Sequence, residues 1–188
     1  MEWVMSVRSG ILAVLSLGPA YGSQVHGEVE TRMHRVGSIN VGQIYTTLDR
    51  LQSQGFVVNE GMTDDGLPLY ALTPLGRAEV ELWFTQADVR GGWSDFVGHV
   101  LLVASLPGAP VEALLKAYRS AYTEVRARKD DTAHEPLGTL SEKANEIQAD
   151  SALAWLDHVE HALGGTGFAR PLGSLRPRRG RRPRRDST

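Results

Sequence analysis

The chain has 188 residues, 41% hydrophobic and 22% charged, with a formal charge of −2, the composition of a folded protein with room for one substantial core or two small ones. It contains no cysteine, which excludes disulfide frameworks, thiolate metal sites and thiol nucleophiles. No stretch approaches the roughly 18 to 20 uninterrupted apolar residues of a bilayer span, and the opening "MEWVMSVRSG" has no basic start, apolar core and cleavage site, so the reading is cytoplasmic with no membrane partner.

In chain order, Ile11, Leu12, Val14, Leu15 and Leu17 predict a first helix closed by Gly18-Pro19. Ser23 caps a second, ended by Gly37. Its Val25, Val29 and Met33 recur every four residues, so one stripe is buried and Gln24, His26, Glu28, Glu30 and Arg32 are expected to face outward. The third helix is the best marked. Asn40 with Gln43 forms a capping-box pattern, Ile44, Leu48 and Leu51 make the buried stripe, and Gly55 supplies a left-handed C-terminal cap. Gly42, Thr46, Asp49, Arg50 and Ser53 then point away from that stripe, with Gln43 and Tyr45 on its flanks. This outward side is short-chained, polar and able to hydrogen-bond.

Phe56, Val57 and Val58 read as a strand, "TDDG" at 63–66 as a turn, and "LYAL" at 69–72 as the returning strand of a β-hairpin. Thr73-Pro74 opens a fourth helix with a capping hydroxyl and a first-turn proline, and Leu75, Val80, Leu82, Trp83 and Phe84 give it apolar surface. Beyond Gly91-Gly92 the periodicity predicts helices near 94–106, 110–129 and 140–163, the last with Thr139 and Glu142 as a capping box and a stripe of Leu140, Ala144, Ile147, Ala152, Trp155, Val159 and Leu163. Three amphipathic helices bury little alone, so they require a partner, either the first domain or a second copy. From Arg170 onward eight arginines stand against one acid, while residues 1–169 hold 12 basic and 21 acidic residues. Such a like-charged, Pro- and Gly-containing end is expected to be a disordered arm or solubilising tail.

Three segments together, "ILAVLSLGPAYGSQVHGEVE", "GQIYTTLDRLQSQGFV" and "YALTPLGRAEVE", resemble the PadR family of winged-helix transcriptional regulators over about residues 8 to 86. The most specific parts are Ile44-Tyr45 followed by Leu48, Arg50-Leu51 and Gly55, and the Tyr70, Leu72, Thr73, Gly76 run. The resemblance implies a mainly α (α+β) chain with a winged helix-turn-helix domain at 1–90 and a helical dimerisation and effector region at 91–164, to which the composition adds the arginine-rich tail at 165–188. It implies a homodimer that sets the third helix of each copy into successive major grooves, about one helical turn apart, with an effector altering that grip.

The residues agree with the DNA reading, because the outward stripe lets the backbone approach base edges. The expected DNA contacts are Gln43 as an amide reading a base edge, Thr46 on a base edge or methyl, Tyr45 and Arg50 on phosphate (Arg50 alternatively on guanine), Asn40 and the helix start near the backbone, and Gly42 permitting close approach. Tail residues Arg178, Arg179, Arg181, Arg182, Arg184 and Arg185 are candidates for sequence-independent phosphate contact. The hairpin, "DDGLPLY", is acidic where the family commonly carries basic residues. This favours the alternative that the winged helix is a protein-interaction module rather than a specific DNA binder. Trp93 and Phe96, in an aromatic set with Trp83, Phe84 and Trp155, are candidates for holding a small hydrophobic or aromatic effector, the alternative being core or dimer packing. Asp157, His158 and His161 sit on adjacent helical turns, but no further ligand cluster accompanies them. With neither a phosphate-binding glycine loop nor a nucleophile motif, the reading is of a non-enzyme without metal or cofactor.

Overall fold

The computed structural model describes residues 7–34, 39–128, 136–165 and 167–173. The elements run α1 (Val7–Leu15), β1 (Ala20–Tyr21), α2 (Gly22–Arg32), α3 (Val41–Ser53), β2 (Val57–Met62), β3 (Pro68–Leu72), α4 (Pro74–Trp83), α5 (Trp93–Ala104), α6 (Val111–Ala127) and α7 (Pro136–Leu163). Gly37 and the tail arginines beyond residue 173 lie outside the described residues.

Beyond Arg8, helix α1 is buried all round from Ser9 through Leu15, so it forms the hub on which α2, α3, α4 and α5 pack. Gly10 makes the α2 contact possible: a Cβ there would lie 3.0 Å from a Val29 methyl. The hairpin forms as read, with Gly66 at φ 79° in its turn and an extra residue bulging β2 between Asn59 and Gly61. The sheet has a third strand that periodicity does not reveal, since β1 is two residues long and exists through pairing of Ala20 with Tyr70 and Tyr21 with Leu69. The strand order is β1-β3-β2, all antiparallel.

Helix α4 docks on the α3–β2 junction through its first turn. The Thr73 hydroxyl donates to Gly55 O at 2.6 Å and accepts from Gly76 N at 3.1 Å. Gly76 itself allows the approach, because a Cβ there would fall 2.0 Å from Phe56 O. Of its expected apolar surface, Val80, Trp83 and Phe84 are buried, whereas Leu75 and Leu82 face solvent.

One continuous core links these elements to the C-terminal helices, with α6 packed lengthwise on α7 and Ala149, Ala152 and Leu156 fully buried. Helix α7 begins at Pro136, so Thr139 lies inside it rather than capping it. In this single copy the N-terminal part of its expected stripe is uncovered, with Leu140 and Ile147 67% and 56% exposed, and Leu137, one turn before it, is 78% exposed.

The expectation that α2 turns its polar residues outward is corrected. Gln24, Glu28, Glu30 and Arg32 are all buried. The Arg32 guanidinium donates on every side: Nε to Glu28 at 2.6 Å, Nη1 to Ser105 O and Oγ, and Nη2 to the carbonyls of Arg170 and Pro171. The physical reason is long-range. Residues 167–173, assigned by composition to the tail, lie along α2 and α5 and cover what would otherwise be a solvated polar flank. A charge removed from water is tolerable only when paired and hydrogen-bonded, and here every donor of the guanidinium has an acceptor.

Candidate nucleic-acid interface

Helix α3 is held from three directions. Its buried stripe, Ile44, Leu48 and Leu51, is at most 1% exposed. Its entry is clamped by α2, where Glu30 Oε1 accepts from Ile39 N at 3.1 Å and His26 Nε2 meets Ile39 O at 2.8 Å. Its exit is a glycine-terminated turn in which Phe56 N donates to Leu51 O and Gly55 N to Gln52 O, with Gly55 at φ 78°. The helix therefore presents its outer face as a fixed object.

That face brings together all six expected contact residues, and each is exposed. Asn40 Oδ1 accepts from Gly42 N at 2.7 Å, so the carbonyl end of its amide serves as the helix cap, and the NH2 end is what it offers outward. Thr46 Oγ1 donates to Gly42 O at 2.9 Å, which fixes its rotamer and leaves its methyl and oxygen lone pairs for contact. Gln43 and Arg50 are seven residues apart on one flank, and among the described residues no intrachain hydrogen bond holds either side chain. Tyr45 is on the other flank, 40% exposed, with its ring laid over the α2 start: a Cβ on Gly22 would lie 2.4 Å from the ring. Tyr45 thus has a packing role that its sequence position does not announce.

The electrostatics around α3 are weak. Asp49 and Arg50 are adjacent on the exposed face, and the wing adds Glu60, Asp64 and Asp65, all exposed. Burial, followed by Asp49 and Tyr45, raises the pKa of Tyr70 beneath this surface, keeping its phenol neutral. Of the five arginines in residues 1–86, Arg8 pairs with Glu79 at 2.8 Å and Arg32 with Glu28. This face has shape and hydrogen-bonding capacity rather than charge.

The two aromatic candidates separate. Phe96 is 1% exposed and meets Tyr118, Tyr122, Trp93 and Trp155 edge-on at 4.8 to 5.5 Å between centroids, so it is core. Trp93 stays 42% exposed at the border of that cluster. The apolar cavity, about 410 Å³, lies elsewhere, between α2, α5, α7 and the 167–173 segment. Val100, Leu101, Trp155, Val159 and Phe168 form apolar walls, and Arg32, Arg170, His34 and His158 add basic groups. Sequence reasoning missed it because it is assembled from four distant segments. On α7, Asp157 accepts from Arg119 at 2.7 Å, and among the described residues no group of three His, Cys, Asp or Glu could hold a metal ion.

Residues 11–82 match the model of the Transcriptional regulator PadR-like family. Over this winged-helix domain the chain is similar to the PadR-like family. Members are transcriptional regulators rather than enzymes. Among solved structures, the chain is similar to Bacillus subtilis PadR in complex with operator DNA, at 18% identity and a TM-score of 0.40, covering 83% of this chain and 96% of that one. It is similar to smu.1604c from Streptococcus mutans UA159, at 22% identity and 0.38, covering 82% and 98%. It is also similar to Bacillus subtilis PadR in complex with p-coumaric acid, at 18% and 0.38, covering 84% and 98%. No curated protein sequence matches the chain. None of the helices among the described residues is long and apolar enough to cross a membrane.

Proposed function

We propose that this chain is a PadR-like transcriptional regulator, a homodimeric repressor that reads a two-fold operator by placing α3 of each copy in successive major grooves. The observation that carries this reading is the outer face of α3, polar, uncharged over most of its length and immobilised at both ends. A helix offered in that way can bring Gln43, Thr46 and Arg50 against base edges without bulky groups between. The uncovered Leu137, Leu140 and Ile147 on one side of α7 support pairing with a second copy, which would bury them. The cavity between α2, α5 and α7 supports a small apolar effector, because its walls join the reading head to the C-terminal helices. Occupancy there would change the distance between the two reading heads and weaken the fit to the operator spacing.

The test is electrophoretic mobility shift on duplex DNA from the region upstream of the gene. Gln43→Ala and Arg50→Ala each lose about 1 to 3 kcal/mol, roughly 5- to 150-fold, on the cognate duplex. Equal binding by parent and both variants would contradict the assignment. The acidic, exposed wing favours a second reading, a winged helix that docks another protein. Absence of any shifted duplex at low salt would decide for it.

A further inference from the structure

The 410 Å³ cavity has helical walls on three sides and residues 167–173 on the fourth, where Phe168 and Arg170 line it. That fourth side differs in kind from the others. The segment has no regular secondary structure and none of its residues is buried, with Leu172 its apolar anchor on the core. It is a strap held mainly by polar bonds, and a segment with so little buried apolar contact opens more readily than the helices beside it.

Those bonds come from one flank of α2, where Gln24, Glu28 and Arg32 are spaced one turn apart and the strap runs antiparallel to them. Arg32 Nη2 donates to Arg170 O at 3.0 Å and Pro171 O at 2.9 Å, while Arg170 N donates to Ser105 O at 3.0 Å. Gly173 is fixed at both backbone polar atoms. Its carbonyl accepts from Gln24 Nε2 at 2.7 Å, and its N–H donates to Glu28 Oε1 at 3.1 Å. Glu28 touches every part of this latch, since its Oε2 accepts from Arg32 Nε at 2.6 Å and lies 3.6 Å from Arg170 Nη2. On a different flank, the same helix clamps the entry of α3 through His26 and Glu30.

We propose that Gln24, Glu28 and Arg32 are positioning residues of the ligand site: by fastening the strap they hold Phe168 and Arg170 in place as the fourth wall of the cavity, and an apolar ligand bound there fastens the strap in return. This rests on the effector reading of the cavity given above. A ligand seated against Phe168 and Arg170 gains those contacts only while the strap is closed, so binding and closure favour each other by the same factor. The ligand thereby acts on α2, the helix that also sets the entry of α3.

Three full-length proteins test it, with the apolar fluorescent dye anilinonaphthalene sulfonate as the probe. Gly173→Pro touches no cavity-lining residue but removes the N–H that Glu28 accepts, and even a Cβ there would lie 2.7 Å from Glu28 Oε1. It is expected to bind the dye roughly 10-fold more weakly than the parent, with the melting temperature checked to show an intact fold. Ala162→Trp, which fills the cavity rim, is expected to lose the dye. In the parent, hydrogen exchange followed by mass spectrometry is expected to show the amides of 167–173 slowed by saturating dye, up to about 100-fold at a dye concentration 100 times Kd. A wall that is only structural would leave that exchange unchanged. If Ala162→Trp binds the dye as the parent does, the cavity reading falls and this proposal with it. If Ala162→Trp loses the dye, then equal affinity of Gly173→Pro and parent, or strap exchange indifferent to the dye, overturns the positioning role and leaves the cavity reading standing.

Discussion

Thr46 illustrates how little of a side chain is left for recognition once its helix is built. Its hydroxyl proton goes to Gly42 O, so Thr46→Val removes only acceptor capacity and keeps the methyl, whereas Gln43→Ala removes an amide with no partner among the described residues. The expected order on cognate duplex is therefore Gln43→Ala weaker than Thr46→Val, read by mobility shift. The buried histidine makes a second prediction. His99 stacks on Trp83 at 3.9 Å, and its Nδ1 meets the Tyr118 hydroxyl, whose own pKa burial pushes well up, at 2.9 Å. Desolvation holds the His99 pKa down at about 3. The unfolded chain takes up this proton as pH falls through about 6.5 while the folded chain does not, so stability is full above that value and declines below it by about 1.4 kcal/mol per pH unit. Between pH 7 and 5 the parent is expected to lose about 2 kcal/mol more than His99→Leu, measured by urea unfolding. Equal losses would remove His99 from the pH dependence. At this scale the sequence was least informative about Glu28 and Arg32. Their i,i+4 spacing is visible, but the acceptors that make burial possible come from Ser105 and from Arg170 and Pro171, the last two about 140 residues away.

Elements whose limits are set locally were legible. Helix α3 starts after Asn40 and ends before Gly55 because a cap and a left-handed glycine act within four residues of themselves. The same holds for Thr73-Pro74 at α4, where Gly76→Ala is expected to cost several kcal/mol or abolish folding, since its methyl would meet the Phe56 carbonyl. An unaltered urea midpoint would show that the junction can relax. Strand β1 was illegible because two residues carry no period; β3 makes it a strand. The start of α7 was misplaced because Thr139 and Glu142 satisfy a capping pattern that the helix overruns. Its apolar stripe was legible, and the uncovered half makes the element-scale prediction: Leu140→Glu with Ile147→Glu shifts the protein from dimer to monomer in sedimentation equilibrium while leaving its melting transition cooperative. A dimer that persists would place the interface elsewhere.

Across the whole molecule, the reading head and the C-terminal helices share one core, joined by α1 in the centre and by Arg32 at the edge. The cavity sits at that edge, so filling it should act on control rather than on recognition. Ala162→Trp, at an exposed position on its rim, is expected to bind operator normally and to lose the response to whichever small apolar molecule releases the parent. Nuclease footprinting of the upstream region at low ionic strength is the most direct test of DNA reading by α3. The expected result is a protected stretch with two-fold symmetry and half-site centres roughly 10 base pairs apart, lost with Gln43→Ala. Uniform cleavage with no protected stretch, by a protein shown to be folded, would contradict it.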